Sequence, residues 1–116
     1  MKLVRDLVCI ALMAAASTAS AASASREKSD KDGLLTLYLL SVAADRCGFP
    51  MSGRQADAID REAKALVEKM KLGDRENDAI YSEADITFER QGSKACDRNS
   101  AFAKGFRQTL QRVTGP

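Results

Sequence analysis

The sequence predicts an all-α protein: a small four-helix domain stapled by a Cys47–Cys96 disulfide. Three observations carry that expectation. Nine of the eleven residues from Leu34 to Ala44 are apolar, with only Thr36 and Ser41 intervening. A short helix that is apolar nearly all round needs neighbours on most sides. Behind it come three charged segments whose apolar residues recur at steps of three and four, the period of amphipathic helices. Finally, one of the three cysteines lies in an N-terminal leader, which leaves a pair.

The leader reads as a secretory signal peptide. Met1–Asp6 carries Lys2 and Arg5, Leu7–Ala16 is an apolar run of ten, and Ser17–Ala24 is a tract of small residues. That basic, apolar, small order marks an export signal. The apolar run is too short to cross a bilayer, which disfavours the competing reading of a retained membrane anchor. Residues 1–24 are therefore expected to be removed, with cleavage after Ala24 and Ala21 as the alternative. The mature chain is expected in the periplasm or secreted. Cys9 follows Val8 inside the apolar run, so it lacks the setting of a lipidated cysteine.

Removal of Lys2, Arg5 and Asp6 leaves 16 basic and 15 acidic side chains, a net charge of +1. Such a balance argues against a nucleic-acid partner, which favours a clearly basic face with stacking aromatics. Stable membrane insertion after signal cleavage is not expected either. Cys47 and Cys96 remain. In an exported protein an even pair reads as a disulfide, with a free-thiol pair or half of a metal site as the alternatives.

Ser25–Asp32 is short, polar and charged, and is expected to be a flexible arm over residues 25–32. Asp30-Lys31-Asp32-Gly33 has the look of a calcium loop. The full pattern fails, because Lys28 and Leu39 stand where carboxylates are needed. The helical domain is expected over residues 33–113. Helix one should run Gly33–Arg46, with Asp32 as N-cap. Gly48 should close it in the left-handed region, and Pro50 prevents continuation. Its first expected role is that of a central core helix. The competing role is a surface for a partner or client, made by Leu34, Leu35, Leu37, Tyr38, Leu39, Leu40 and Val42.

After a tight connection at Phe49–Met51, helix two is expected at Gly53–Leu72, opened by a capping box between Ser52 and Gln55 and ended by Gly73. Ala56, Ile59, Ala63, Leu66, Val67 and Met70 form its apolar face. Helix three should run Arg75–Gln91, with Asp74 as N-cap and Gly92 as C-cap. Its apolar side is Ile80, Tyr81, Ala84, Thr87 and Phe88. From Asp74 to Glu89 it holds six carboxylates and one base. Asp78, Asp85 and Glu89 share a face by spacing, but no histidine or wrapping loop supports a metal there, and no metal site is assigned.

Helix four is expected at about Lys94–Val113, begun by Ser93 or Asp97. Its seam is Cys96, Asn99, Ala103, Phe106, Leu110 and Val113, widened by Phe102. Arg90 to Arg112 holds six bases and one acid. Opposed charges and a short link make helices three and four expected antiparallel neighbours. Thr114–Pro116 reads as a frayed tail.

No catalytic role is expected. The absence of histidine removes Ser-His and Cys-His nucleophile pairs and imidazole metal ligands. Neither G-x-S-x-G, a phosphate-binding glycine loop nor C-x-x-C occurs, and no cofactor is implied.

Cys47 and Cys96, the stretch Ala95-Cys96-Asp97, and Phe102 and Phe106 in a charged last helix together resemble the HdeA-like acid-stress proteins of the bacterial periplasm. The chain differs from them in having no Trp beside Cys47 and in placing its most apolar helix before that cysteine. The resemblance implies a chaperone activated by acid, in which a dimer dissociates and apolar surface holds unfolding clients. The leading expectation is a non-enzymatic periplasmic protein acting through an apolar helical surface, with a protein client or partner, a second copy among them. The alternative is a partner-binding module: an inhibitor, or an accessory subunit of an envelope or secretion-related complex.

Overall fold

The computed structural model describes residues 27–115, and the expected signal peptide lies outside them. Helix α1 covers residues 27–47. It is followed by α2 at Gly53–Met70, α3 at Asp74–Glu89 and α4 at Ala101–Thr114. Lys31–Pro116 forms one compact unit, and no strand occurs among the described residues.

Helix α1 corrects the expected arm. Residues 27–32 are helical, and Asp32 lies inside the helix, where its carbonyl accepts from the Thr36 hydroxyl at 2.9 Å. Glu27, Lys28 and Lys31 are sound helix formers, and Glu27 and Lys31 sit at the favourable i,i+4 spacing. Gly33 costs the helix something like 1 kcal/mol but does not break it. The far end is as expected: Gly48 has φ 68°, a left-handed turn that favours glycine.

Helix α2 begins with the expected capping box. The Ser52 hydroxyl accepts from the Gln55 N–H at 3.1 Å, and the Gln55 side chain accepts from the Ser52 N–H at 2.9 Å. It ends two residues earlier than expected. Lys71 turns left-handed at φ 55°, its N–H bonding the Glu68 carbonyl, while the Leu72 N–H reaches the Val67 carbonyl. That reversal directs Leu72 onto the core. Gly73, expected to stop α2, is instead the extended N-cap of α3, and Asp74 is the first helical residue. Asp74 and Glu76 in the first turn favour the positive end of the helix dipole.

The second half of the chain departs further. α3 stops at Glu89, and residues 90–100 form successive turns in place of a continuous fourth helix. Ser100 is the true cap: its hydroxyl accepts from the Ala103 N–H at 3.0 Å and donates to the Ala95 carbonyl at 2.9 Å. One side chain thus starts α4 and fastens the preceding turn. Cys96 and Asn99 consequently lie off the α4 seam, while Ala103, Phe106 and Leu110 on it are buried.

Packing also differs. Among α2, α3 and α4 the substantial backbone contact joins α2 to α4. No ion pair joins α3 to α4 among the described residues; three pairs tie α3 to α1 instead. The reason is that α1 supplies the largest share of the core. The buried core takes Leu34, Leu37, Leu40 and Ala43 from α1, Ile59 and Ala63 from α2, Ile80 from α3, and Phe106 and Leu110 from α4. Leu34 is wholly buried.

The disulfide joins Cys47, at the end of α1, to Cys96 in the turn segment, with Cα atoms 5.0 Å apart. All four phenylalanines gather near this end. Phe49 packs on Phe106 at 4.9 Å and Phe102 at 6.5 Å between ring centres, and Phe88 meets Phe102 edge-on at 5.7 Å. The bridge spans 49 positions, for which chain entropy gives about 4 kcal/mol of stabilisation. Replacing both cysteines by serine should lower the unfolding free energy by ~2–4 kcal/mol, read as a lower urea midpoint with retained helical signal.

Candidate binding surface

The seven α1 residues expected to form a partner or client surface divide into two sets. Leu34, Leu37, Leu40 and Val42 are buried, and so are not available on the folded surface. Leu35, Tyr38 and Leu39 are half-buried. The cover over α1 is wider than two amphipathic helices could supply. Phe49, Met51 and Leu72, which lie in the connections, pack against the same core and complete it.

Tyr38 is held on two sides. Its hydroxyl donates to Asn77 Oδ1 on α3, and its ring lies 5.3 Å from that of Tyr81. Tyr81 was expected to face the core but stays 47 % exposed, because Ile80, Ala84 and Phe88 take the inward face. Leu39 instead lines an apolar groove between α1 and α4. The groove has a volume of about 150 Å³; buried Leu40, Ala43 and Phe106 form its floor, and Thr36, Phe102, Gly105 and Thr109 its sides. A second, wider cleft of about 460 Å³ lies between α1 and α2. Tyr38, Ala44, Met51 and Ile59 line it together with the polar residues Ser41, Asp45 and Asp60.

The electrostatics centre on Arg46 at the end of α1. Its Nη1 donates to Glu89 Oε1 and its Nη2 to Asp85 Oδ1, both at 2.7 Å. The guanidinium carbon lies 5.8 Å from the centre of the Phe88 ring. The hydrogen bond to Glu89, then the charge of Asp85, raises the Arg46 pKa above its ordinary value. Because its pKa is raised, Arg46 loses its own charge only in strong alkali and is a fixed cation in neutral and acidic solution. Lys31 on α1 pairs with Glu83 of α3 at 3.6 Å. The acidic face that spacing alone assembled from Asp78, Asp85 and Glu89 is thereby resolved. Asp85 and Glu89 hold Arg46, and Asp78 stands exposed on the surface. No cluster of three or more metal-ligating side chains occurs among the described residues.

Sequence reasoning missed Arg46 as the tie between α1 and α3. It also missed the four-phenylalanine cluster. Both are contacts between residues tens of positions apart, and helical spacing carries no signal for them. Among the described residues no polar or charged side chain is buried, and no helix is long and apolar enough to cross a membrane.

The chain matches no known protein family, and neither a curated protein nor a solved structure is similar to it.

The division of α1 into covered and groove-facing residues has a direct test. Leu34→Ala should cost about 3 kcal/mol, within the range for a fully buried leucine, whereas Leu39→Ala should cost under ~1 kcal/mol. Urea unfolding of the two variants measures both, and equal losses would contradict the assignment.

Proposed function

We propose that the protein is a non-catalytic, periplasmic or secreted chaperone. Its client-binding surface is the apolar circumference of α1, covered at neutral pH and uncovered by acid. One observation carries this reading. The most apolar helix is stored in the core, and every ion pair from α1 to α3 among the described residues ends on an α3 carboxylate: Glu83, Asp85 or Glu89.

Strong acid protonates carboxylates, whose ordinary range is near pH 4, while Arg46 keeps its charge. The ties of α3 to α1 are then lost. Surface pairs are individually weak, so the larger drive is global. With the acidic side chains neutralised, the chain after residue 24 approaches a net charge of +16 and repels itself. The disulfide still joins the end of α1 to residue 96, which limits how far the chain opens. A loosened but tethered domain would present Leu34, Leu37, Leu40 and Val42 to other unfolding proteins. The resemblance to HdeA-like acid-stress proteins agrees with this mechanism.

A second reading is a partner-binding module for a larger envelope or secretion-related complex. The Leu39–Phe102 groove favours it, since that groove is open without any loosening.

Binding of an apolar-surface dye and suppression of client aggregation should both rise between pH 7 and about pH 2. Arg46→Ala should move the midpoint of that rise to higher pH, because two of the three ion pairs from α1 to α3 are already gone. A protein that stays compact at about pH 2 and leaves client aggregation unchanged rules out the chaperone reading. Retention of one specific envelope protein at neutral pH, without activity in acid, is the result expected of the partner-binding module.

A further inference from the structure

We infer that the groove between α1 and α4 receives α3 of a second copy of this chain, with Ile86 as the inserted side chain. The inference does not depend on the chaperone proposal. It rests on three features that the fold of a single copy leaves unused.

The first is Ile86 itself. It is 51 % exposed, and with Tyr81 it is one of two large apolar side chains exposed among the described residues. Tyr81 is occupied by its ring contact with Tyr38. At 100° per residue, Ile86 falls on the side of α3 roughly opposite the core residues Ile80 and Ala84. Nothing in the packing of its own chain calls for isoleucine there.

The second is the groove. Its volume of about 150 Å³ suits one branched aliphatic side chain, and its lining of Leu39, Phe102, Gly105 and Thr109 is predominantly apolar. Gly105 sits mid-helix in α4, and a Cβ built there meets nothing within 4 Å. A glycine in a helix interior weakens the helix. Here it keeps the α4 backbone open to close approach beside the groove.

The third is charge. Asp74, Glu76 and Asp78 on α3 are exposed and make no ion pair among the described residues, and the same holds for Lys104 and Arg112 on α4. α3 is the acidic helix and α4 the basic one, yet no ion pair joins them within the chain. A second copy supplies the missing partner: the acidic helix that carries Ile86 meets the basic helix that borders the groove. Because each copy has both surfaces, reciprocal use closes a dimer.

Sedimentation equilibrium of the oxidised protein at neutral pH and low salt, from micromolar to millimolar concentration, tests this. A monomer–dimer equilibrium is expected. Ile86→Ala, which removes the inserted side chain, and Gly105→Leu, which fills the groove, should each weaken association about tenfold or more. Raising salt from about 50 mM to about 500 mM should weaken it as well, since exposed charges are screened. Ile86 is exposed and Gly105 has open space beside it, so urea midpoints no lower than the parent's, compared at a concentration where all are monomeric, separate a lost interface from a lost fold. A monomer throughout the concentration range overturns the inference, and so does self-association that neither variant weakens.

Discussion

An apolar helix with leucine on nearly every side has to be covered by whatever chain is available, and that requirement shapes this domain. α1 contributes Leu34, Leu37, Leu40 and Ala43 to a core in which α2, α3 and α4 each supply only one or two residues. Those helices therefore pack around α1 before they pack on one another. Short segments between them are drawn in too: Phe49, Met51 and Leu72 are half-buried against the core although none lies in a helix. A domain of this size has little apolar surface to spare, and such residues complete the cover.

The second organising feature is the concentration of ties at one end of α1. Arg46 with its two carboxylates, the Cys47–Cys96 bridge and the rings of Phe49, Phe88, Phe102 and Phe106 all lie there. The covalent and aromatic ties are indifferent to protonation, whereas the ionic ties depend on carboxylates. In acid the two kinds of restraint therefore part company. The covalent anchor is unaffected while the charged fastening of α3 weakens.

Much of this was legible in the residues. The all-round apolarity of Leu34–Ala44 marked the central helix, and Ser52 with Gln55 marked the start of α2. The Ala103, Phe106 and Leu110 spacing marked the buried seam of α4, and the cysteine pair marked the staple. Boundaries set by tertiary demand were not legible. A left-handed Lys71 beside Gly73 is unexpected from propensity, since glycine is the usual residue for that turn. Ser93, Asp97 and Ser100 are all favoured N-cap residues. Only the placement of Ala95 and Cys96 decides that Ser100 starts α4. Likewise, Asp85 and Glu89 could be seen to share a face, but their partner Arg46 lies 39 and 43 positions away. Which part of α1 stays reachable was hidden for the same reason: Leu39 and Leu40 are identical side chains on adjacent positions, and only the approach of α4 separates them.

The central claim is that α1 is the most deeply covered element of the folded domain. Native-state hydrogen exchange of the oxidised protein at neutral pH addresses it most directly. The account predicts that the slowest amides lie in α1 between Leu34 and Ala43, exchanging only by global opening. Exchange of those amides at rates typical of a frayed or surface helix, with the slowest protons in α2 or α4, would contradict it.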